Sequence, residues 1–299
     1  MSSARTFLKS IIDYAGLFPP AKLHMNDAVS EYAKYRDGAY SDLLGRFIIP
    51  AFRLEEFSAS AVSLARESAP GPWRLSAIVT AGNELELGDV DRFNTTSSAD
   101  SSSPGATIDA IEMAVQNDSD VRWAAEHYQK SYELFLEPSG AASSSVMLHS
   151  ISAAGAAAKL RTGGTVQGSI PPAKAVMRFI NDCAELNLRF KATAGLHHAI
   201  CGEYPLTYEP GATRSTMFGY LNVFLVAAFR RAGLAEAALF DLLQESDATS
   251  IMFNEAGAWW RGNLAETAHL MATRKFFAVS FGSCSFTEPV GEARDLQLI

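Results

Sequence analysis

The sequence predicts an α/β protein folded as a single (β/α)8 barrel of the TIM type. Short apolar runs recur along the 299 residues, and each ends in polar or small residues. Between most of these runs, apolar residues follow helical spacing, as in segments 173–187 and 219–231. Continuous apolar strands that alternate with helices are typical of a parallel sheet buried on both faces, and eight such units fit the usual length of this barrel.

Eight runs are predicted to be the barrel strands. In chain order they are residues 46–50, 75–80, 108–115, 132–137, 157–161, 189–198, 250–254 and 276–281. An open, doubly wound sheet is the alternative. No GxGxxG motif follows the first run, which argues against a dinucleotide-binding domain.

Two segments are expected to lie outside the strand and helix pattern of this single domain. Residues 1–24 contain Pro19-Pro20, which must end any preceding helix. We expect them to form a plug over one end of the core, although Asp13 and Tyr14 could instead line a substrate pocket. Residues 94–104 have low complexity and are expected to form a flexible loop.

Composition restricts the class of partner. The net charge is −8, and no run of Lys or Arg indicates a nucleic-acid partner. The three cysteines are widely spaced, which indicates free thiols in a reducing, cytoplasmic setting. No signal peptide or membrane span is expected. We expect a small, anionic substrate and no membrane partner, and the sequence leaves a homo-oligomer open.

Lys191 is the strongest catalytic candidate. It lies among Phe190, Ala192 and Ala194, so an inward-facing amine would be desolvated and its pKa lowered. A neutral amine can form a Schiff base with a carbonyl substrate. Active sites of this fold lie at the carboxyl ends of the strands, where other polar residues should meet Lys191. The alternative is an ion pair with Glu112 or Glu137.

Glu112 and Glu137 are the candidate proton shuttles, since Glu112 lies in the third predicted run and Glu137 ends the fourth. Gly-containing turns are the candidate anion sites, because their backbone amides can cradle an anion and Arg161 can bind one in a bidentate manner. Ordinary turn chemistry is an equal alternative for these turns. The predicted binding residues are Arg161, Gly163, Gly164, Thr193, Gly282, Ser283 and Ser285.

His197 and His198 are adjacent and point apart on an extended chain, so one metal is not expected to bind both. One of them is the better candidate for an acid/base or a substrate donor. We therefore expect no metal and no other cofactor. A metal-dependent hydrolase or isomerase that uses these histidines with Glu112 and Glu137 stays open as an alternative.

Two motifs resemble class I aldolases of the deoxyribose-phosphate aldolase type. Segment 191–195, KATAG, is similar to the Lys-x-Thr-x-Gly context of that family's Schiff-base lysine on strand six. Segment 281–285, FGSCS, is similar to its turn near the phosphate, and Glu112 in IEMAV to its proton-transfer carboxylate. The family's second lysine, on strand seven, has no counterpart in SIMFNEAG (250–257). DYAGLFPP, KLRTGG and FKATAGLHH together also resemble uncharacterised bacterial proteins.

The sequence therefore favours a class I lyase in which Lys191 forms a Schiff base with a small carbonyl compound, with or without a phosphate group. The metal-dependent enzyme and a non-catalytic barrel that binds a small anion are the alternatives.

Overall fold

A computed structural model describes residues 2–61, 72–99, 105–139 and 145–299. The strands are β1 (Ile12–Tyr14), β2 (Leu44–Pro50), β3 (Trp73–Val79), β4 (Ala106–Val115), β5 (Glu133–Pro138), β6 (Ala157–Arg161), β7 (Phe190–Thr193), β8 (Gly202–Pro205), β9 (Arg214–Met217), β10 (Ile251–Asn254), β11 (Gly257–Trp260), β12 (Asn263–Glu266) and β13 (Ala278–Ser283). Strands β1 to β7 and β13 are parallel and close a barrel, with β13 between β7 and β1. The predicted (β/α)8 fold is confirmed.

Helices follow most of the barrel strands and pack against them. They are α1 (Ser3–Leu8), α2 (Met25–Asp37), α3 (Leu54–Ala61), α4 (Glu84–Ala99), α5 (Asp118–Tyr128), α6 (Ser145–Ala153), α7 (Ala173–Glu185), α8 (Tyr220–Arg231), α9 (Glu236–Leu243), α10 (Thr267–Phe276) and α11 (Thr287–Asp295). Within the described ranges, no helix is long and apolar enough to cross a membrane.

The first barrel strand is β1, so the prediction that residues 1–24 form a plug is wrong for this segment. Ile12, Asp13 and Tyr14 are all buried, and they pair with β2 on one side and β13 on the other. Three residues with a carboxylate in the middle carry no readable strand pattern. Asp13 and Tyr14, which the alternative prediction places at a substrate pocket, are buried in the barrel and do not line the cavity at the carboxyl ends of its strands.

The predicted seventh strand lies outside the barrel. Ile251–Asn254 forms β10 of an antiparallel sheet with β11 and β12. The eighth predicted run also begins too early, since Phe276 ends α10 and β13 starts at Ala278. Counted from β1, β6 is therefore the sixth barrel strand, β7 the seventh and β13 the eighth. The number of strands agrees with the prediction, but the first six predicted runs each rank one position later in the barrel, because β1 precedes them.

The predicted flexible loop at 94–104 is partly helical. Residues 94–99 form the last turns of α4, and residues 100–104 lie outside the described part of the chain. The amide side chain of Asn94 bonds both the carbonyl and the N–H of Ile108, each at 2.9 Å. This pair of bonds ties the end of α4 to the start of β4.

Candidate functional site

Lys191 lies inside the barrel, in the ion pair with Glu112 that the sequence offers as the alternative to a Schiff-base amine. Its Nζ atom is 2.5 Å from Asp13 Oδ2 and 2.7 Å from Glu112 Oε1, and the side chain has no exposed surface. The ammonium group also lies 5.2 Å from the centre of the Phe135 ring, a cation–π distance. Two carboxylates and a ring therefore surround this amine.

Asp13 is held in place by both of its neighbouring strands. Its Oδ1 accepts a hydrogen bond from the Arg46 N–H at 2.8 Å, and its Oδ2 accepts one from Ser280 Oγ at 2.7 Å. Burial alone would raise the pKa of Asp13, but the charges of Lys191 and Arg46 hold it below its ordinary value. Gly45 leaves room for this carboxylate, because a Cβ there would lie 2.2 Å from Asp13 Oδ1.

Lys159 is the second interior amine, and its position in β6 pairs with that of Lys191 in β7. Its Nζ forms ion pairs at 2.9 Å with Glu112 Oε2 and at 2.9 Å with Glu137 Oε2. The other oxygen of Glu137 lies 2.7 Å from Arg161 Nε. The chain of charges thus alternates in sign from Asp13 to Arg161.

Glu112, Glu137 and Lys159 all favour their ionised forms in this charge network. Burial acts to raise the pKa of Glu112 and of Glu137, yet their cationic partners hold both well below the ordinary value. Burial acts to lower the pKa of Lys159, but Glu112 and Glu137 raise it above the ordinary lysine value. The resting state at neutral pH is therefore a set of ion pairs, and Lys159 carries a proton.

A cavity of about 410 Å³ lies over this network at the carboxyl ends of the strands, the position of active sites in this fold. The described residues that line it include Lys159, Glu112, Glu137 and Arg161 but not Lys191. The rest of the wall is formed by Ala15, Phe18, Pro19, Ile48, Ile78, Met113, Ala114, Gly164, Thr165, Thr193, Ala194, His197, Gly282 and Cys284. The accessible amine is thus Lys159, with a side chain 7% exposed.

A second polar cluster, around His197 and Cys284, also borders the cavity. His197 Nδ1 is 3.3 Å from Glu288 Oε2 and 3.9 Å from Cys284 Sγ. Tyr208 Oη donates to Glu288 Oε2 at 2.9 Å. Burial acts to lower the pKa of His197, but contacts with Cys284 and Glu288 raise it to about 9. His197 is therefore protonated at neutral pH and can act as a proton donor.

His198 does not join the predicted catalytic set. Its Nδ1 lies 2.6 Å from Glu292 Oε1, and its ring stacks on Tyr204 with the ring centres 3.5 Å apart. Glu292 also accepts a hydrogen bond from the Ala199 N–H at 2.6 Å. These contacts fix the turn after β7, which gives His198 a structural role.

The predicted anion-binding turns are only partly at the cavity. Gly164, Thr193 and Gly282 line it. Gly163 instead packs against Gly195, where an added Cβ would lie 2.9 Å from the Gly195 Cα.

The serine hydroxyls of the second turn are engaged within that turn. Ser283 Oγ accepts from the Ser285 N–H at 3.3 Å, and Ser285 Oγ accepts from the Glu288 N–H at 3.1 Å. Neither serine lines the cavity. These hydroxyls order the start of α11.

The sequence pattern does not distinguish Lys159, Tyr208 or Glu288 as site residues. Lys159 lies in the fifth predicted run, 157–161, whereas Lys191 has the clearer motif. The spacing of Lys159 and Arg161 was the available signal, since residues two apart on a strand share one face. Glu288 lies 91 positions from His197, so no local pattern links them.

The fold and site together define a (β/α)8-barrel protein with two lysines and three carboxylates at the base of its carboxyl-end cavity. Neither a scan against models of known protein families nor a search of curated proteins finds a match. In the described ranges, no group of three or more His, Cys, Asp or Glu side chains is placed to hold a metal ion. The carboxylates beside His197 and His198 are Glu288 and Glu292, in place of the Glu112 and Glu137 that the metal hypothesis requires.

Proposed function

We propose that this protein is a class I lyase that holds a small carbonyl compound as a Schiff base on Lys159. One observation carries the proposal: Lys159 is the amine at the cavity wall and touches two carboxylates, whereas Lys191 lies without exposed surface beneath it. The proposal therefore keeps the chemistry that the sequence favours and moves it to the neighbouring lysine.

The corrected strand count supports the choice of Lys159. The resemblance to deoxyribose-phosphate aldolases implies a Schiff-base lysine on strand six and a second lysine on strand seven. With β1 counted as the first strand, Lys159 lies on the sixth and Lys191 on the seventh. Glu112, the counterpart of the proton-transfer carboxylate, lies on the fourth strand and touches both amines.

The first step requires an unprotonated amine. A proton moves from Lys159 Nζ to Glu137 Oε2 across the 2.9 Å ion pair. The Nζ lone pair then bonds to the carbonyl carbon, and the C=O π pair moves to the oxygen. That oxygen takes one proton from Nζ and one from Glu137 and leaves as water, which gives the protonated Schiff base.

In the direction of condensation, the second step forms a carbon–carbon bond. Glu137 takes a proton from the carbon next to the Schiff base, and the C–H electron pair forms an enamine. The enamine carbon attacks an acceptor aldehyde, whose oxygen takes a proton from His197, which also lines the cavity. Water then hydrolyses the Schiff base, and solvent returns the proton gained by Glu137 to His197.

Lys191 acts as a positioning residue in this scheme. Lys191 binds Glu112 Oε1, and Lys159 binds Glu112 Oε2. Lys191 therefore fixes the position of the carboxylate that forms an ion pair with Lys159. Ser76 Oγ donates to the same Oε1 at 2.8 Å and adds to this restraint.

Borohydride trapping tests the proposal. Incubation with a panel of aldehydes and keto acids under reduction, followed by peptide mass spectrometry, should give an adduct on Lys159. Lys159→Arg keeps the charge but cannot form a Schiff base, so the adduct should disappear. Lys174→Ala, which removes an exposed lysine, should leave it unchanged. An adduct on Lys191, or no adduct on Lys159 across the panel, would overturn the proposal.

A further inference from the structure

The geometry points to a substrate class: we propose that the cavity takes a short 2-oxo acid, whose carboxylate is bound by Arg161 while its carbonyl meets Lys159. This inference rests on the proposed function and deepens it, because it specifies what the carbonyl compound must carry.

Arg161 has the capacity to bind a carboxylate. Only its Nε is engaged, at 2.7 Å from Glu137 Oε1, and 56% of the side chain is exposed. Within the described ranges, its two terminal nitrogens make no hydrogen bond, and the residue lines the cavity. A guanidinium group presents paired N–H donors that match the two oxygens of a carboxylate.

The spacing of the two cations limits the length of the substrate. Lys159 and Arg161 lie two residues apart on β6 and bind the two oxygens of one carboxylate, that of Glu137. A substrate that touches both cations therefore carries its anionic group within a few bonds of its carbonyl carbon. A 2-oxo acid meets this condition, whereas a phosphate at the far end of a sugar does not.

The cluster around His197 does not offer a competing site for the anion. His197 is the cation there, but Glu288 lies 3.3 Å from it and Tyr208 bonds the same carboxylate. An anion placed beside His197 would meet the negative charge of Glu288. The charge pattern thus orients the substrate, with its carboxylate at Arg161 and its reacting partner toward His197.

Binding of the carboxylate would also activate the amine. Glu137 is shared between Arg161 and Lys159, so a substrate carboxylate on the free terminal nitrogens of Arg161 offsets part of the positive charge that Glu137 meets at Nε. A carboxylate with less positive charge around it binds a proton more strongly, and the nearest proton is on Lys159. A neutral carbonyl compound would leave the Arg161–Glu137 pair intact and Lys159 protonated.

Trapping rates for pyruvate and methyl pyruvate show whether the site requires a carboxylate on its substrate. The two compounds share a skeleton and differ in the charge of the acid group. Each rate is measured under cyanoborohydride and divided by the rate for free acetyl-lysine. The wild-type protein should trap pyruvate at least about tenfold faster on Lys159. In Arg161→Gln, the pyruvate rate should fall and the methyl pyruvate rate should stay equal or rise, because Glu137 has lost its partner.

Arg92→Gln is the matched control, since Arg92 is an exposed arginine paired with Asp89 on α4, far along the chain from β6; it should keep the wild-type preference. Equal normalised rates in the wild-type protein would overturn this inference while leaving the Schiff-base function intact. Equal losses of both adducts in Arg161→Gln would also overturn it. No adduct with either compound, or with the wider panel, would instead remove the proposed function itself.

Discussion

Lys159 and Lys191 occupy paired positions on neighbouring barrel strands, and one carboxylate, Glu112, binds both. The two amines differ in access: Lys191 has no exposed surface, and Lys159 lies at the cavity wall. Two ammonium groups buried this close to one carboxylate would repel each other without its negative charge between them.

Replacing Glu112 with Gln should destabilise the fold strongly. The change removes the charge between two buried ammonium groups, and breaking a buried ion pair costs about 3–5 kcal/mol. Urea unfolding followed by circular dichroism measures the loss. Glu31→Gln removes a surface partner of Lys34 and should cost less than about 1 kcal/mol. Equal effects of the two changes would show that the interior network does not stabilise the barrel.

Replacing Gly45 with Ala should also destabilise the protein. The new Cβ would lie 2.2 Å from Asp13 Oδ1 and 3.1 Å from the Ile12 carbonyl oxygen, so it must displace the partner of Lys191. Overpacking of this kind costs about 1–3 kcal/mol. Gly88→Ala is the control, because Gly88 lies inside α4 with no atom within 4 Å of the added Cβ. That change should stabilise by about 0.5–1 kcal/mol, and thermal denaturation of both variants checks the contrast.

Stability should fall in acid because of the three interior carboxylates. The folded-state pKa values of Asp13, Glu112 and Glu137 lie below their unfolded values. Their contribution is therefore complete above the unfolded pKa, at about 4, and is lost as the pH falls through the folded values. Urea unfolding at a series of pH values from roughly 2.5 to roughly 7 should show a steep decline in the free energy of unfolding below about pH 4. A flat profile would contradict the network.

The opposite sign applies to Lys159. Burial acts to lower the pKa of Lys159, but the negative charges of Glu112 and Glu137 outweigh burial, so the pKa is raised in the folded state. Its contribution to stability is complete below the unfolded pKa, at about 10.4, and is lost as the pH rises through the folded value. Unfolding experiments in alkali should therefore show a larger decline for the wild-type protein than for Lys159→Met. Identical slopes would count against the raised pKa.

His197 should titrate near pH 9, well above a free histidine. Burial lowers its pKa, but Cys284 and Glu288 more than offset this. Its charged form therefore stabilises the fold fully below the unfolded pKa of about 6.5, and this contribution disappears as the pH rises through about 9. NMR titration of the ring protons, assigned with His197→Asn, measures the value. Glu288→Gln should lower it; an unchanged value would remove Glu288 as the cause.

Part of the site was readable from the sequence, and part was not. Lys191 stood out because a lysine within an apolar strand must find interior partners, and Glu112 and Glu137 were correctly placed among those facing the barrel interior. The rank of each strand was not readable. Ile12–Tyr14 is too short for a hydrophobic period, while the apolar Ile251–Asn254 pairs in a separate sheet.

The barrel could be predicted from the sequence, because strands buried on both faces must be continuously apolar, and so could the meeting of charged groups at the carboxyl ends of those strands. Which amine faces the cavity could not be predicted, because it follows from tertiary packing. Lys159 and Lys191 are paired neighbours with the same side-chain chemistry. Their access depends on how the strands pack, since Asp13 of β1 completes the enclosure of Lys191, 178 positions away in the chain. Local pattern cannot encode a contact that only the closure of the barrel creates.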